Sequence, residues 1–331
     1  MGYSKLAGAR VLITGGAGFI GSNLCESFLQ AGNEVVCLDN FVTGNITNVQ
    51  PFLKMKGFEL IEGDIRDPAD CARAMRGVDV VLQQAALGSV PRSINDPAAT
   101  NEVNVSGFLN VLIAARDARV KRFVYAGSSS VYGDRDELPK VEERIGKPLS
   151  PYAVTKLVDE LYAEVFAKTY GMEIIGLRYF NVFGKGQDPA GEYAAAIPKF
   201  IQALIMKESP LIHGDGSNSR DFTYVQNVVQ MNHLAAGTKN PAAFGEVFNT
   251  ASGKSATLKE LVSLLKELLA VYDPEITEVK VNYGRERKGD IPHSLASIEK
   301  ARSLLNYDPS HGLREGLAEA IKWYWERFAA L

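Results

Sequence analysis

A chain of 331 residues has room for about two domains, or for one large α/β unit with an appendage. Its 46% hydrophobic and 23% charged content excludes wholesale disorder. A formal charge of -3 gives no electrostatic reason to expect nucleic acid or anionic lipid as a partner.

No apolar run approaches the ~18 residues of a membrane span. The N-terminal segment passes almost directly into a strand rather than a secretory signal. Cys25, Cys37 and Cys71 are odd in number and far apart, so a reduced cytoplasmic protein is expected. The histidines (His213, His233, His293, His311) form no spaced cluster and predict no metal site.

In chain order, β-branched runs at 11–14, 34–39, 58–62, 78–82, 122–126 and 174–178 read as strands. Helical stretches at 22–30, 69–75, 100–118 and 151–170 fall between them. Apolar strands alternating with helices require right-handed crossovers, which predicts a doubly wound parallel α/β sheet of Rossmann-like form. After about residue 180, Gly and Pro leave shorter elements. Thr257 to Glu260 has capping-box spacing ahead of Leu261, Leu264, Leu265 and Leu268, and a last helix at 313–328 carries both tryptophans. Glu142 and Glu143 read as an exposed loop rather than a catalytic pair.

Gly15-Gly-Ala-Gly-Phe-Ile-Gly21 joins the first strand to the first helix. Glycines there permit a tight turn and close approach of the backbone to a pyrophosphate, and the helix N-terminus supplies free N–H donors. The second strand ends on Asp39, where a carboxylate can accept hydrogen bonds from a ribose. An acid followed by Asn40 and Phe41, with no arginine beside it, favours NAD over NADP. Asp64, ending the third strand, is placed to reach the adenine. Gly253-Lys254-Ser255 has the tail of a phosphate loop, but Phe248 stands where its first glycine belongs, so it cannot wrap a triphosphate.

Tyr152 and Lys156, at i and i+4 near the start of a helix opened by Ser150-Pro151, project from one face. A tyrosine is ordinarily too weak an acid to work near neutrality, and an adjacent ammonium stabilises its phenolate. Ser128-Ser129-Ser130 follow the fifth strand at the carboxyl edge of the sheet, where open α/β sheets bind ligands, so a hydroxyl there can share a substrate proton.

With Asp39-Asn40, Ser128 four residues before Tyr132-Gly133, Tyr152-x-x-x-Lys156 and Arg178-Tyr-Phe-Asn181, the chain resembles the extended short-chain dehydrogenase/reductases. Within them it is most similar to the UDP-hexose 4-epimerases. The segments 84–93, 179–184 and 193–198 look most like the subgroup of surface polysaccharide synthesis that acts on UDP-N-acetylglucosamine and UDP-N-acetylgalactosamine. The resemblance implies that Tyr152 takes the proton of the sugar 4-hydroxyl while C4 gives hydride to NAD. A 4-keto sugar then turns over, and hydride returns to its opposite face. Ser128 would hydrogen-bond the 4-oxygen and Lys156 the nicotinamide ribose, with NAD tightly bound and not consumed.

Further cofactor contacts are implied at Gly15, Gly18, Phe19, Ile20, Gly21, Phe41, Thr43, Gly44, Ile65, Gln83, Ala85, Ala86, Asn104 and Tyr179. Gln83 departs from relatives that often carry His. On the substrate side, Arg220 and Arg287 match phosphate-binding arginines, Asn181 would contact sugar or phosphate, and 212–216, with Gly214, resembles the uridine-side strand and turn. Ser89, Ser129, Gln187 and Ala195 would line the hexose pocket; Gly88, Arg92, Ser130, Ala196, Ile197 and Asp290 complete the set. Ser294 stands where strict UDP-galactose epimerases present a bulky tyrosine, which leaves room for a 2-acetamido group.

The expected division is an NAD domain over 1–180, with later segments at about 213–250 returning to it, and a smaller α/β UDP-sugar domain over 181–331. A homodimer through helices 100–118 and 151–170 is implied. Ser129 and Ser130, where dehydratases and decarboxylases of this family tend to carry acids, favour simple epimerisation. A UDP-uronate 4-epimerase, a dehydratase or reductase of the same fold, and a silent dinucleotide sensor are the rivals; an intact Ser128–Tyr152–Lys156 set speaks against the sensor.

Overall fold

Seven parallel strands make one sheet, in the order β3-β2-β1-β4-β5-β6-β7. In the computed structural model, which describes residues 3–189, 195–285 and 292–328, these are β1 (Arg10–Thr14), β2 (Glu34–Asp39), β3 (Phe58–Glu62), β4 (Val80–Gln83), β5 (Arg122–Ser128), β6 (Glu173–Tyr179) and β7 (Val247–Thr250). The principal helices are α1 (Phe19–Gln30), α2 (Pro68–Ala74), α3 (Phe108–Asp117), α4 (Pro151–Tyr170), α5 (Ala196–Ile205), α6 (Val225–Gly237), α7 (Leu258–Leu269) and α8 (Leu313–Phe328). Strand periodicity sorts the core. Val11 and Ile13 face α1 and α6 through Leu24, Phe28, Val228 and Met231, whereas Leu12 faces α2, α3 and α4 through Cys71, Val111 and Phe166. No described helix is long and apolar enough to cross a membrane.

Three expectations need correction. The strand predicted from Val78 starts at Val80, because the Val78 N–H closes the turn after α2 on the Met75 carbonyl. The helix predicted over 100–118 is broken in three: Pro97–Asn101, a π-helical turn at Glu102–Gly107, and α3. Asn104 sits in that widened turn, where its amide bonds both the N–H (2.7 Å) and the carbonyl (3.2 Å) of Leu87 and the Thr155 hydroxyl (3.1 Å). Glu142 is not an exposed loop residue. It is 7% exposed and accepts from the Asn249 N–H at 2.8 Å, and only Glu143 reaches outward, to Lys300.

A second core gathers α5, α7 and α8 around Ile201, Leu265 and Tyr324. Both halves of the Thr257–Glu260 capping box are present. The loop that mimics the end of a phosphate loop holds an internal anion. Asp221, fully buried, accepts from the Ser252 N–H (2.9 Å) and hydroxyl (2.7 Å), the Gly253 N–H (3.1 Å) and the Ala296 N–H (3.3 Å). One carboxylate thereby ties 252–253 and 296 to the strand bearing Arg220.

Between α1 and α6, His233 is fully buried, stacked on Phe28 with ring centroids 3.8 Å apart and 3.0 Å from the Ser27 hydroxyl. Burial, helped by Lys5, pushes its pKa down to about 3. An unfolded chain takes up this proton near pH 6.5 and the native state does not, so stability falls as pH drops below that value. Between pH 6.5 and 5 the loss from this group is about 2 kcal/mol. Urea unfolding of the protein and of His233→Gln across this range should show that difference; parallel curves would contradict it.

Candidate active site

The strand order reverses between β1 and β4, and at their carboxyl ends opens a cleft of about 600 Å³. Its floor is the glycine turn. Gly15, at φ 65°, lies so close to the segment after β4 that a Cβ would come within 2.8 Å of the Ala85 Cα. A Cβ on Gly21 would lie 2.1 Å from the Gly15 carbonyl oxygen, which is what lets α1 seat against the turn. Gly18 has ordinary φ and a Cβ there would meet only the Gly15 carbonyl oxygen, at 3.2 Å, and no side chain caps α1. The first-turn N–H groups of α1 are therefore available to an anion in the cleft.

Asp39 stands at the end of β2, 7% exposed, and its two oxygens accept from Ala17 N–H (2.9 Å) and Phe41 N–H (2.8 Å). Burial raises its pKa and those two bonds oppose the rise. Each oxygen keeps a lone pair for a ribose hydroxyl. Gly44 is a supporting residue, since a Cβ there would meet the Asp39 carboxylate at 2.7 Å. Asp64 is held below the usual carboxylate range, at about 2, chiefly by Arg66, which pairs with it at 2.7 Å; Asn40 also donates to it. Arg66 lines the same cleft, so an arginine is near Asp39 and Asn40 after all, paired with Asp64 and, at 3.6 Å, with Glu102. The uncapped N-terminus of α1 and the Asp39 carboxylate with lone pairs to spare, in a cleft of about 600 Å³, fit NAD.

The opposite wall comes from β5, α4 and β6. Ser128, Tyr152, Lys156, Tyr179 and Asn181 line the cleft together with Gly15, Gly18, Phe19, Ile20, Gly21, Asp39, Asn40, Thr43, Asp64, Ile65, Ala85, Ala86 and Gly88. The Ser128 oxygen accepts from the N–H and hydroxyl of Ser130 (3.1 and 2.9 Å), leaving its own O–H to donate. Lys156, 4% exposed, donates to the Ala126 carbonyl and to Asp159, each at 3.1 Å. Tyr179 is no rival base. Burial pushes its phenol up to about 12, and it donates to Gln84 (3.0 Å) while accepting from Asn232 (2.9 Å).

Several expected residues are not among those that line the cleft. Gln83 accepts from Thr14 and donates to the Ala85 carbonyl, shaping the strand end, and Asn104 fixes Leu87 as described. Phe41, at φ 58°, serves through its N–H to Asp39. Ser89, at φ 94°, caps the helix that carries Arg92. Ser129 and Ser130 form the 3-10 turn after β5. Gln187 donates to the Val182 carbonyl at 3.3 Å. Ala195 and Ala196 are exposed at the start of α5, whereas Ile197 is 3% exposed and belongs to the second core, turned inward by helix phase beside Phe200 and Ile201. Gly214, at φ 80°, makes the turn after the strand Leu211–His213. Arg220 donates to the Ser219 and Pro292 carbonyls, and the Ser294 N–H donates to Ser219, which brings Arg220 and Ser294 onto adjoining segments. Arg287 and Asp290 lie outside the described residues.

Sequence reasoning passed over Gln84 and Asp159. Gln84 lines the cleft with its amide nitrogen buried and unpartnered. Its only sequence signal was membership of the Gln84-Ala-Ala segment. Asp159 had a readable signal, one helical turn beyond Lys156.

The profile of the NAD dependent epimerase/dehydratase family matches residues 11–251. The chain belongs to that family. It is similar to a UDP-glucose 4-epimerase of Mycolicibacterium smegmatis, 34% identical over 318 residues that cover 95% of this chain and 98% of that one. Among solved structures it is similar to a UDP-N-acetylglucosamine 4-epimerase from Methanobrevibacter ruminantium in complex with UDP-N-acetylmuramic acid (TM-score 0.90, 36% identity, 97% of this chain and 100% of that chain). It is similar also to a UDP-glucuronic acid 4-epimerase from Bacillus cereus in complex with UDP-glucuronic acid and NAD (TM-score 0.87, 30% identity, 96% and 100%). The enzyme is an NAD-dependent 4-epimerase of Rossmann-like fold.

Proposed function

We propose that this enzyme is a UDP-N-acetylglucosamine 4-epimerase that interconverts UDP-N-acetylglucosamine and UDP-N-acetylgalactosamine. The observation that carries this reading is the juxtaposition of Ser128, Tyr152 and Lys156 with the glycine turn and Asp39 across one cleft. Bound NAD would supply the hydride acceptor and donor for sugar C4. Tyr152 takes the proton from the 4-hydroxyl and gives it back after the keto sugar has turned over, so acid and base are one group. Ser128 holds the 4-oxygen through its unused O–H, and Lys156 holds the nicotinamide ribose. Asp39 takes the adenosine ribose, and the α1 N-terminus the pyrophosphate. Arg220, with Arg287, neutralises the substrate diphosphate.

The reading assigns residues 1–180 and about 213–250 to NAD and most of the rest to the UDP-sugar. It includes a homodimer, supported by Val154, Leu161 and Val165, which lie 48 to 55% exposed along α4. A reducing cytoplasm is supported by three buried, unpaired cysteines.

The choice of an N-acetylated sugar rests on Ser294, small and held beside Ser219. Ser294→Tyr is expected to abolish turnover of UDP-N-acetylglucosamine and spare UDP-glucose. Unchanged kcat/KM on the acetamido sugar would contradict this. The reaction itself is tested by NMR of a panel of UDP-sugars incubated with the protein. Interconversion of the N-acetylated gluco and galacto forms, with NAD retained and no net NADH, is expected. A 4-keto-6-deoxy product, or turnover of UDP-glucuronate alone, would overturn the reading.

A further inference from the structure

An ammonium has three N–H donors. Lys156 spends one on the Ala126 carbonyl of β5 and one on the Asp159 carboxylate, both at 3.1 Å, and the third is left on the side that lines the cleft. Asp159 is fully buried, one turn along α4, and its second oxygen has no partner in the protein. The adjacent Glu160 cannot do the same work, because Arg178 of β6 holds both its oxygens at 2.8 Å.

We propose that Asp159 is a positioning residue which, through its ion pair, keeps the Lys156 ammonium charged and turned so that its third N–H serves the nicotinamide ribose. This rests on the reading of Lys156 as a ligand of the bound cofactor. The physical argument is desolvation. A lysine this deeply buried sheds its proton readily when it stands alone. Burial works to lower its pKa here too, yet the Asp159 carboxylate, with Tyr152 and Glu160, outweighs burial and leaves Lys156 above its ordinary value. The same burial lifts Asp159 to about 7 against the pull of Lys156, so the ion pair is fully formed in the alkaline range, where the lysine would otherwise lose its proton.

The ionisable groups facing the pair are Tyr152 and Glu160 on α4, Tyr125 from β5, and Arg178 from β6 acting on Glu160. The π-helical turn opposite contributes uncharged Asn104, which reaches Thr155. Asp159 is therefore the single carboxylate, among the described residues, in hydrogen-bond contact with the ammonium.

The test uses the holoenzyme as purified, passed over a desalting column at stepwise pH, with the retained NAD assayed in each fraction. Wild type should hold its NAD well into the alkaline range, until the Lys156 ammonium itself loses its proton. Asp159→Asn, and Asp159→Ser in case the amide variant misfolds, should hold it near pH 7 and release it progressively from about pH 8, roughly two pH units before wild type. Asp159→Glu should restore most of the alkaline range. Retention that falls equally at every pH, or does not fall, overturns the proposal, because a purely structural role has no reason to follow the lysine proton. Lys156→Met separates the two readings. If it retains NAD as well as wild type, the cofactor role of Lys156 fails, and the role proposed for Asp159 fails with it by a different route.

Discussion

Tyr152→Phe is expected to lower kcat by about 10³-fold or more while leaving the fold and the NAD content intact. Removing a general acid–base group costs about 10² to 10⁴, and in the proposed mechanism one hydroxyl serves both directions of a proton transfer. The other phenol in the cleft offers no substitute, since Tyr179 is buried between Gln84 and Asn232 with its pKa near 12. Phenylalanine keeps the ring that packs at the start of α4, and the backbone carbonyl that receives the Thr155 hydroxyl at 2.8 Å is unaffected. The measurement is epimerisation rate by NMR alongside NAD released on denaturation. Near-wild-type turnover with normal NAD content would remove Tyr152 from the chemistry and with it the proposed mechanism.

Gly21→Ala should be the most damaging single methyl in the glycine turn. Its Cβ would lie 2.1 Å from the Gly15 oxygen and 2.7 Å from the Gly16 Cα, and both are backbone atoms of a turn pinned by Asp39 and Ala85. Neither neighbour can swing aside as a flexible side chain could, so α1 must lift from the sheet. Overpacking of a tight core site costs about 1–3 kcal/mol and more where backbone is involved; about 3 kcal/mol lowers Tm by roughly 4 °C in a chain of this size. Bound NAD should be lost at the same time. Gly18→Ala makes the contrast. Its nearest non-neighbour atom would be 3.2 Å away and its φ is -74°, so the variant should fold, yet present a methyl where the pyrophosphate approaches. Thermal melts with and without added NAD would tell packing from binding. A Gly21→Ala protein with unchanged Tm and full NAD content would refute the argument.

Stability of the region behind the active site rests on a buried network that no single motif announces. Arg178 donates bidentately to Glu160, and also to the Tyr132 hydroxyl at 3.1 Å and the Glu142 carbonyl at 2.9 Å; Tyr132 in turn donates to Asn249 at 2.6 Å. These bonds tie α4, the loop after β5, β6 and β7 into one unit. They account for why Glu142, read from sequence as a loop acid, is inside. A carboxylate is expected outside unless it is paired, and its partner, the Asn249 backbone, lies 107 residues further along the chain.

The sheet, the glycine turn, Asp39 and the Tyr152–Lys156 pair were legible because each depends on local chemistry: period-two burial, positive φ at Gly15, a strand-end carboxylate, and i,i+4 spacing on a helix. Sequence reasoning erred where distant groups compete for the same atoms. Asn104 widens its helix because Leu87 and Thr155 need its amide. The Gly253-Lys254-Ser255 loop, correctly read as unable to wrap a triphosphate, instead donates to a carboxylate that sequence did not point to, Asp221. Ile197 looked like a pocket residue until helix phase turned it into a core. The individual strands, the helices between them and the glycine turn follow from the chain's own local preferences. Which carboxylate meets Lys156, which amide stiffens the cleft wall and which glycine tolerates no methyl were decided by contacts between segments far apart in sequence, where hydrogen-bond satisfaction and close packing leave a single arrangement.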